Sequence, residues 1–198
     1  MGSLGFIGCD PDVHQPAFAV VDDAGAVVDA FTVPQKKLTN RAAVVATCHA
    51  LRKELWREGR SDLSFECGAV ESQEVYAKGE HRTRNPDDLL LVATISGAAL
   101  CALSLYCDNL LLPTPKGWKG SVPKHIHQGR ILGSRLGWKY EVRGSEPKRG
   151  KKDTRYCIPT EPPKHLNLLA TEWKHAVDAI GLALFAREQH LKALRLAR

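Results

Sequence analysis

The first 33 residues contain three apolar runs that predict three consecutive strands. The run from Leu4 to Cys9 is apolar on both faces, as expected for a strand in the middle of a sheet. Residues 16–21 and 26–33 predict two more strands, and the turn-forming residues DDAG lie between them. The chain is therefore predicted to begin with a three-stranded antiparallel meander.

Beyond the meander, the apolar pattern changes between the helical period and short strand-like runs. The predicted elements are, in order, a helix at 39–58, a strand at 65–70, a helix at 87–107, a strand at 109–115, a basic helix at 122–136 and a helix at 172–194. Three antiparallel strands followed by alternating helices and strands predict an α/β fold. Its mixed five-stranded sheet would be flanked by helices.

Residues 140–170 differ in composition from the rest of the chain. They are rich in Pro, Gly, Lys and Arg, which is typical of a loop or a flexible hairpin outside the core. A length of 198 residues allows one domain, or one domain with a large insertion. We therefore predict a single domain over 1–198 with a basic insertion at about 140–170.

Carboxylates lie at the ends of two predicted strands. Asp10 ends the first strand, and Glu71 directly follows the strand at 65–70. Because ligands of open α/β sheets bind outside the carboxyl ends of the strands, these two acids are expected to face one crevice. His175 and Asp178 are three residues apart on the final helix, so they share one face. Their apolar neighbours indicate that this face is buried, where polar residues need a reason.

Three acids and a histidine that converge in a basic protein predict a divalent-metal site. Two adjacent carboxylates repel each other unless a cation neutralises them. Oxygen ligands favour Mg²⁺ or Mn²⁺, and an imidazole shifts the preference toward Mn²⁺. Two such ions would support phosphodiester hydrolysis. Each residue alone also has an ordinary explanation, as a turn residue, a solvated strand end or a hydrogen-bonding core residue, and only their common placement favours a site.

Charge and composition narrow the classes of function. The net charge of +6 and pI of about 9.1 favour a polyanionic partner such as nucleic acid. No G-x-G-x-x-G follows the first strand, which argues against dinucleotide binding. The apolar runs are too short for a membrane helix, no secretion signal is recognisable at the start, and the six cysteines form no CxxC pair. We expect a soluble, intracellular protein with reduced thiols that does not associate with membranes.

Three motifs together resemble those of the RuvC-type Holliday-junction resolvases of the RNase H-like superfamily. They are FIGCDPDVHQPAFAVVD, AVESQEVYAKG and HAVDAIGLAL, in the family's order and at similar separations. The stretch PTPKGWKGSVPK also resembles a segment of phage-type members. The resemblance implies an RNase H-like fold and a homodimer with the helix at 87–107 as a candidate dimer element. It also implies paired nicking of four-way DNA junctions, leaving 5′-phosphate and 3′-hydroxyl ends, in the cytoplasm of a bacterial or phage-infected cell.

The resemblance also implies roles for particular residues. It assigns catalysis and the binding of two Mg²⁺ or Mn²⁺ ions to Asp10, Glu71, His175 and Asp178. Asp12 replaces the family's usual glycine, and Asp12 and Glu74 are additional candidate ligands.

Basic residues form three clusters that are candidate DNA contacts. The clusters are Lys78, Arg82 and Arg84; Lys116, Lys119 and Lys124; and Lys148, Arg149, Lys151, Lys152 and Arg155. Solvated loops explain such clusters equally simply, except that the first directly follows Glu71. In related enzymes an aromatic residue of this loop stacks at the junction centre, so Tyr76 is the candidate here. Lys119 or Lys124 is a candidate for holding the transferred phosphate, whereas Trp118 and Trp173 are expected to be packing residues.

Three functions remain open from the sequence. The first is a metal-dependent nuclease that resolves four-way junctions. The second keeps the fold but changes the substrate to branched or flapped DNA or RNA–DNA hybrids, because one fold hosts many functions. The third is a non-catalytic DNA-binding protein.

Overall fold

The fold is built around a five-stranded sheet with strand order β3-β2-β1-β4-β5. The computed structural model describes residues 5–12, 15–33, 64–72, 86–146 and 153–197, together with Ala42, Val45, Ala46, Cys48, His49 and Lys53. The strands are β1 (Gly5–Asp10), β2 (Ala17–Val21), β3 (Val27–Thr32), β4 (Phe65–Val70) and β5 (Leu110–Leu111). The predicted mixed sheet is confirmed, although β5 pairs over only two of the residues predicted for it.

Strand β1 is the centre of the sheet and joins its two halves. It pairs antiparallel with β2 and parallel with β4, and β4 pairs parallel with β5. Cys9 lies opposite Val70, and the Glu71 backbone N–H donates to the Cys9 carbonyl over 3.1 Å. The carboxyl ends of β1 and β4 therefore meet at one edge of the sheet.

The described helices are α1 (Pro86–Leu103), α2 (Pro115–Lys119), α3 (Lys124–Gly129) and α4 (Ala170–Leu196), and a π-helix at Arg130–Arg135 continues α3. Helix α1 ends earlier than predicted, in a turn after Leu103. The helix predicted at 122–136 consists of α3 followed by this π-helix. The predicted helix at 39–58 lies largely outside the described residues, and the six residues described there are helical. Within the described part of the chain, no helix is long and apolar enough to cross a membrane.

Helices cover both faces of the sheet, and alternate residues of β1 point to each side. Phe6 belongs to a core shared with α4, whereas Ile7 and Cys9 belong to a second core that includes Leu103 of α1. Both cores are apolar, which explains why β1 is apolar at every position up to Asp10.

Helix α4 approaches β1 unusually closely. A Cβ atom on Gly8 would lie 2.1 Å from the Ala179 carbonyl oxygen and 2.3 Å from the Ala183 backbone nitrogen. The helix presents small residues to the strand at this point, and Ala179 and Ala183 are fully buried. Glycine at position 8 is therefore required by the contact between two backbones, and this contact sets the position of the first half of α4.

The insertion at 140–170 contains a two-stranded antiparallel hairpin, formed by β6 (Tyr140–Arg143) and β7 (Tyr156–Pro159). The hairpin form agrees with the sequence, but the expectation that this segment lies outside the core is wrong. Cys157, Ile158 and Leu166 are buried in the core beneath α4. These three apolar residues lie among charged residues in the sequence, so the average hydrophobicity of the segment does not reveal them.

Candidate active site

Four side chains predicted from the sequence come together at the edge where β1 and β4 end. Asp10 is the last residue of β1, and Glu71 follows β4. His175 and Asp178 lie on the buried first half of α4, and both are almost inaccessible to solvent. The close packing of α4 on β1 brings these two residues to the carboxylates of the strands.

His175 links the first strand to the helix. Its Nδ1 atom lies 3.1 Å from Asp10 Oδ2 and 3.9 Å from Asp12 Oδ2. The residue at the position of the family's glycine thus places a second carboxylate beside the imidazole. Asp12 also accepts a hydrogen bond from the Gln15 backbone N–H over 3.2 Å.

Glu71 is held by two donors from the short helix α2. The Trp118 indole N–H donates to Glu71 Oε2 over 2.7 Å, and Lys119 Nζ lies 3.1 Å from the same oxygen. Burial raises the pKa of Glu71, and the Asp10 charge raises it further, while Lys119 and Trp118 act in the opposite direction. The net effect is a pKa above the usual range for a glutamate.

The position of α2 follows from its first residues. Thr114 caps the helix, and its hydroxyl oxygen accepts the Gly117 backbone N–H over 3.1 Å. Pro115 occupies the first turn, where its missing N–H costs nothing. This start directly follows β5, so Trp118 and Lys119 are presented to the edge at which Glu71 lies.

Asp178 is buried, yet its pKa is shifted in the direction opposite to that of Glu71. Lys124 Nζ lies 2.5 Å from its Oδ2, and the Gln128 amide N–H donates to its Oδ1 over 3.0 Å. Burial alone would raise the pKa of Asp178, but the charges of Lys124 and Lys119 hold it below its usual range. Burial would likewise lower the pKa of Lys124, but the Asp178 and Asp10 charges raise it above its usual value.

The donor set fits a divalent cation by its chemistry. Carboxylate oxygens are the ligands that Mg²⁺ and Mn²⁺ prefer, and three acids at one edge supply them. Within the described residues, however, no group of three or more His, Cys, Asp or Glu side chains is arranged to hold a metal ion. Lys119 and Lys124 instead contact Glu71 and Asp178. Metal binding by these acids would therefore replace the two lysine contacts.

Two contacts were not anticipated from the sequence. Trp118 was expected to be a packing residue, and its N–H is instead a donor to Glu71, whereas Trp173 is buried and packs edge-on to Trp138 as expected. His127 packs edge-on to Trp118 at 4.7 Å. Its pKa is lowered to about 4, first by burial and then by nearby cations, so the ring is neutral at pH 7. No signal in the sequence distinguished Trp118 as a donor to Glu71.

The candidate DNA contacts are only partly described. Lys116 is exposed on α2, whereas Lys119 and Lys124 face the carboxylates. Arg155 lies against Asp153 and Glu146. Outside the described residues lie the remaining candidates: Glu74, Tyr76, Lys78, Arg82, Arg84, Lys148, Arg149, Lys151 and Lys152.

Comparison with known proteins supports the fold. No model of a protein family matches the chain, and no curated protein matches it. Among solved structures, Thermus thermophilus RuvC in complex with a Holliday junction substrate is similar, with a TM-score of 0.55 and 18% identity over 94% of this chain and 97% of that chain. A second Thermus thermophilus RuvC structure gives a TM-score of 0.56 and 17% identity over 96% of both chains.

The fold is therefore RNase H-like, with the mixed sheet and flanking helices of that class. More narrowly, it is the fold of the RuvC Holliday-junction resolvases, as the sequence motifs implied.

Proposed function

We propose that this protein is a divalent-metal-dependent nuclease that resolves four-way DNA junctions by paired symmetric nicks. The observation that carries the proposal is the convergence of Asp10, Glu71, His175 and Asp178 at one edge of a RuvC-like sheet. A similar fold has been solved with a Holliday junction substrate. Burial of several carboxylates costs stability, and a protein that only binds DNA has no use for them. The presence of these acids therefore favours catalysis.

The four side chains are the proposed ligands of two Mg²⁺ or Mn²⁺ ions. When bound, such ions activate water and stabilise the leaving oxygen, which leaves 5′-phosphate and 3′-hydroxyl ends. Asp10 orients the imidazole of His175 through its 3.1 Å contact. The ammonium groups of Lys119 and Lys124, which contact the acids, are our candidates for binding the phosphate that reacts.

The rest of the proposal concerns the substrate and the assembly. A net charge of +6 favours binding to the phosphates of the four arms. Tyr76 remains the candidate for stacking at the junction centre. The three basic clusters, which follow Glu71, lie around α2 and α3, and lie between β6 and β7, remain candidate DNA contacts. Two symmetric nicks require two active sites, so we propose a homodimer with α1 as a candidate interface, acting in the cytoplasm of a bacterial or phage-infected cell.

The proposal is tested by cleavage of a mobile four-way junction in Mg²⁺ and in Mn²⁺. Linear duplex, a three-way branch, a flap and an RNA–DNA hybrid serve as substrate controls. Asp10→Asn removes one carboxylate of the site. Asp22→Asn makes the same change in the β2–β3 turn, where the side-chain oxygen still accepts the Ala26 N–H. We expect symmetric, ligatable nicks in the junction alone from wild type and Asp22→Asn, and none from Asp10→Asn.

Two results would move the conclusion to one of the other functions. Equal cutting of the flap, the three-way branch or the hybrid would indicate a general structure-specific nuclease. Tight junction binding by the wild type without any cutting in either metal would indicate a DNA-binding protein that has no catalytic role.

A further inference from the structure

One amide side chain beside the site is completely buried. Gln128 lies on α3 with no exposed surface. Its Nε2 donates to the Lys174 carbonyl over 2.8 Å and to Asp178 Oδ1 over 3.0 Å. Its Oε1 accepts the Cys157 backbone N–H over 2.8 Å. A buried and satisfied amide of this kind connects three elements of the fold: α3, α4 and β7.

These partners allow only one orientation of the amide. The two hydrogens of Nε2 match two acceptors, and Oε1 matches one donor. A flipped amide would set Nε2 against the Cys157 N–H and Oε1 against two oxygen acceptors, which would break all three hydrogen bonds. The backbone of β7 therefore determines that an N–H of Gln128 faces Asp178.

Helix α3 holds both oxygens of Asp178. Lys124 and Gln128 are four residues apart and share one face of the helix. Lys124 contacts Oδ2 and Gln128 donates to Oδ1, so the plane of the carboxylate is defined by one helical turn. The lysine contact is the one that a bound cation would replace, whereas the Gln128 hydrogen bond engages the other oxygen.

The β6–β7 hairpin also holds this turn of α3 in place. Besides the Cys157 N–H, the Cys157 thiol donates to the His125 carbonyl over 3.0 Å. The segment that the sequence assigned to a loop or flexible hairpin outside the core thus forms two hydrogen bonds with α3 through Cys157. Docking of the hairpin against α3 orients the amide of Gln128, and this amide in turn orients the carboxylate of Asp178.

We propose that Gln128 is a positioning residue for Asp178, and that the docked hairpin β6–β7 is the part of the fold that orients it. The inference rests on the proposed nuclease function for its kinetic consequence. Its structural consequence, a fixed Asp178 carboxylate, is independent of that function.

The test compares two substitutions of Gln128 with a matched control. Gln128→Met keeps the length and removes all three hydrogen bonds, whereas Gln128→Glu keeps an acceptor for the Cys157 N–H but turns a carboxylate toward Asp178. Asn109→Leu is the control, because the Asn109 amide also donates a hydrogen bond, to the Glu66 carbonyl over 3.4 Å, but at the amino ends of β4 and β5.

We expect kcat for junction cleavage to fall about 10- to 100-fold in both Gln128 variants, as for loss of a partner that orients a ligand. KM should change less than about twofold, because no DNA contact is removed. Asn109→Leu should keep the wild-type kcat. A wild-type kcat in a folded Gln128 variant would overturn the inference. So would failure of both Gln128 variants to fold while Asn109→Leu folds, since the role would then be purely structural.

Crystal structures without metal separate this inference from the proposed function. If the wild type cleaves no DNA, the proposed function fails but the position of Asp178 can still be compared. We expect the Asp178 carboxylate to rotate or lose order in the Gln128 variants and to stay in place in Asn109→Leu. An unmoved Asp178 in both Gln128 variants would show that Gln128 does not position it.

Discussion

At the scale of single residues, the positions of the acids at the strand ends were predictable from local sequence patterns, whereas the hydrogen-bond partner of Glu71 was not. Asp10 and Glu71 end strands that are recognisable from their own apolar runs, so their common edge was predictable. The partner of Glu71 was not, because Trp118 lies 47 residues away and its indole carries an apolar body as well as a donor. A tryptophan among lysines has no periodic pattern that distinguishes a donor from a packing residue.

Replacing Trp118 by Phe should show what its N–H contributes. The ring packing is largely kept, but Glu71 loses its shortest donor, at 2.7 Å. We expect kcat for junction cleavage to fall about tenfold or more with KM little changed, measured under single- and multiple-turnover conditions. Trp138→Phe, which alters the remote edge-on pair with Trp173, is the control and should cleave normally. Equal kcat values in the two variants would contradict the role of Trp118.

At the scale of elements, the contact between β1 and α4 determines where the site residues meet. The helical period of residues 172–194 predicted a helix, and the structure extends it to Ala170–Leu196. Its depth against the sheet follows from the absence of a side chain at Gly8, opposite Ala179 and Ala183. The same close approach carries His175 and Asp178 to the ends of β1 and β4.

Two glycine substitutions should therefore have opposite effects on stability. Gly8→Ala introduces a methyl group against rigid backbone atoms at 2.1 Å and should lower the free energy of unfolding by about 3 kcal/mol or more. Gly97→Ala, at an exposed position of α1 where an added Cβ would meet no described atom within 4 Å, should raise it by about 0.5–1 kcal/mol. Urea unfolding measures both. A tolerated Gly8→Ala would show that α4 can move away from β1 at little cost.

At the scale of the whole molecule, the sheet topology brings the acids together, and the net positive charge favours a polyanionic partner. The parallel pairing of β1 with β4 gathers acids from distant parts of the chain, and Lys119 and Lys124 partly neutralise them. The remaining positive charge belongs to the surface as a whole, where it favours association with a polyanion and makes that association depend on salt. Lys116 is exposed on α2, one turn from Lys119, and is our candidate for such a contact.

Junction binding without divalent ions should weaken steeply as salt increases. Lys116→Ala is expected to reduce the slope of log affinity against log salt by about 1, the change expected for loss of one phosphate contact. Lys192→Ala removes the same charge from the exposed far end of α4 and should leave the slope unchanged. Fluorescence anisotropy over a salt series measures both slopes, and equal changes in the two variants would indicate a general charge effect instead of a contact at α2.

The sequence by itself determined the order of the five strands of the main sheet, their mixed pairing and the edge at which Asp10 and Glu71 lie. These features follow from local periodicity and from the rule that parallel strands end at the same edge. Only the tertiary structure decided how the acids are partnered and that the hairpin is part of the core. Gln128 bonds to Cys157 and to Asp178 across 29 and 50 residues, and no local pattern encodes contacts at such separations. They exist because buried polar groups must find partners wherever the packed elements bring them together.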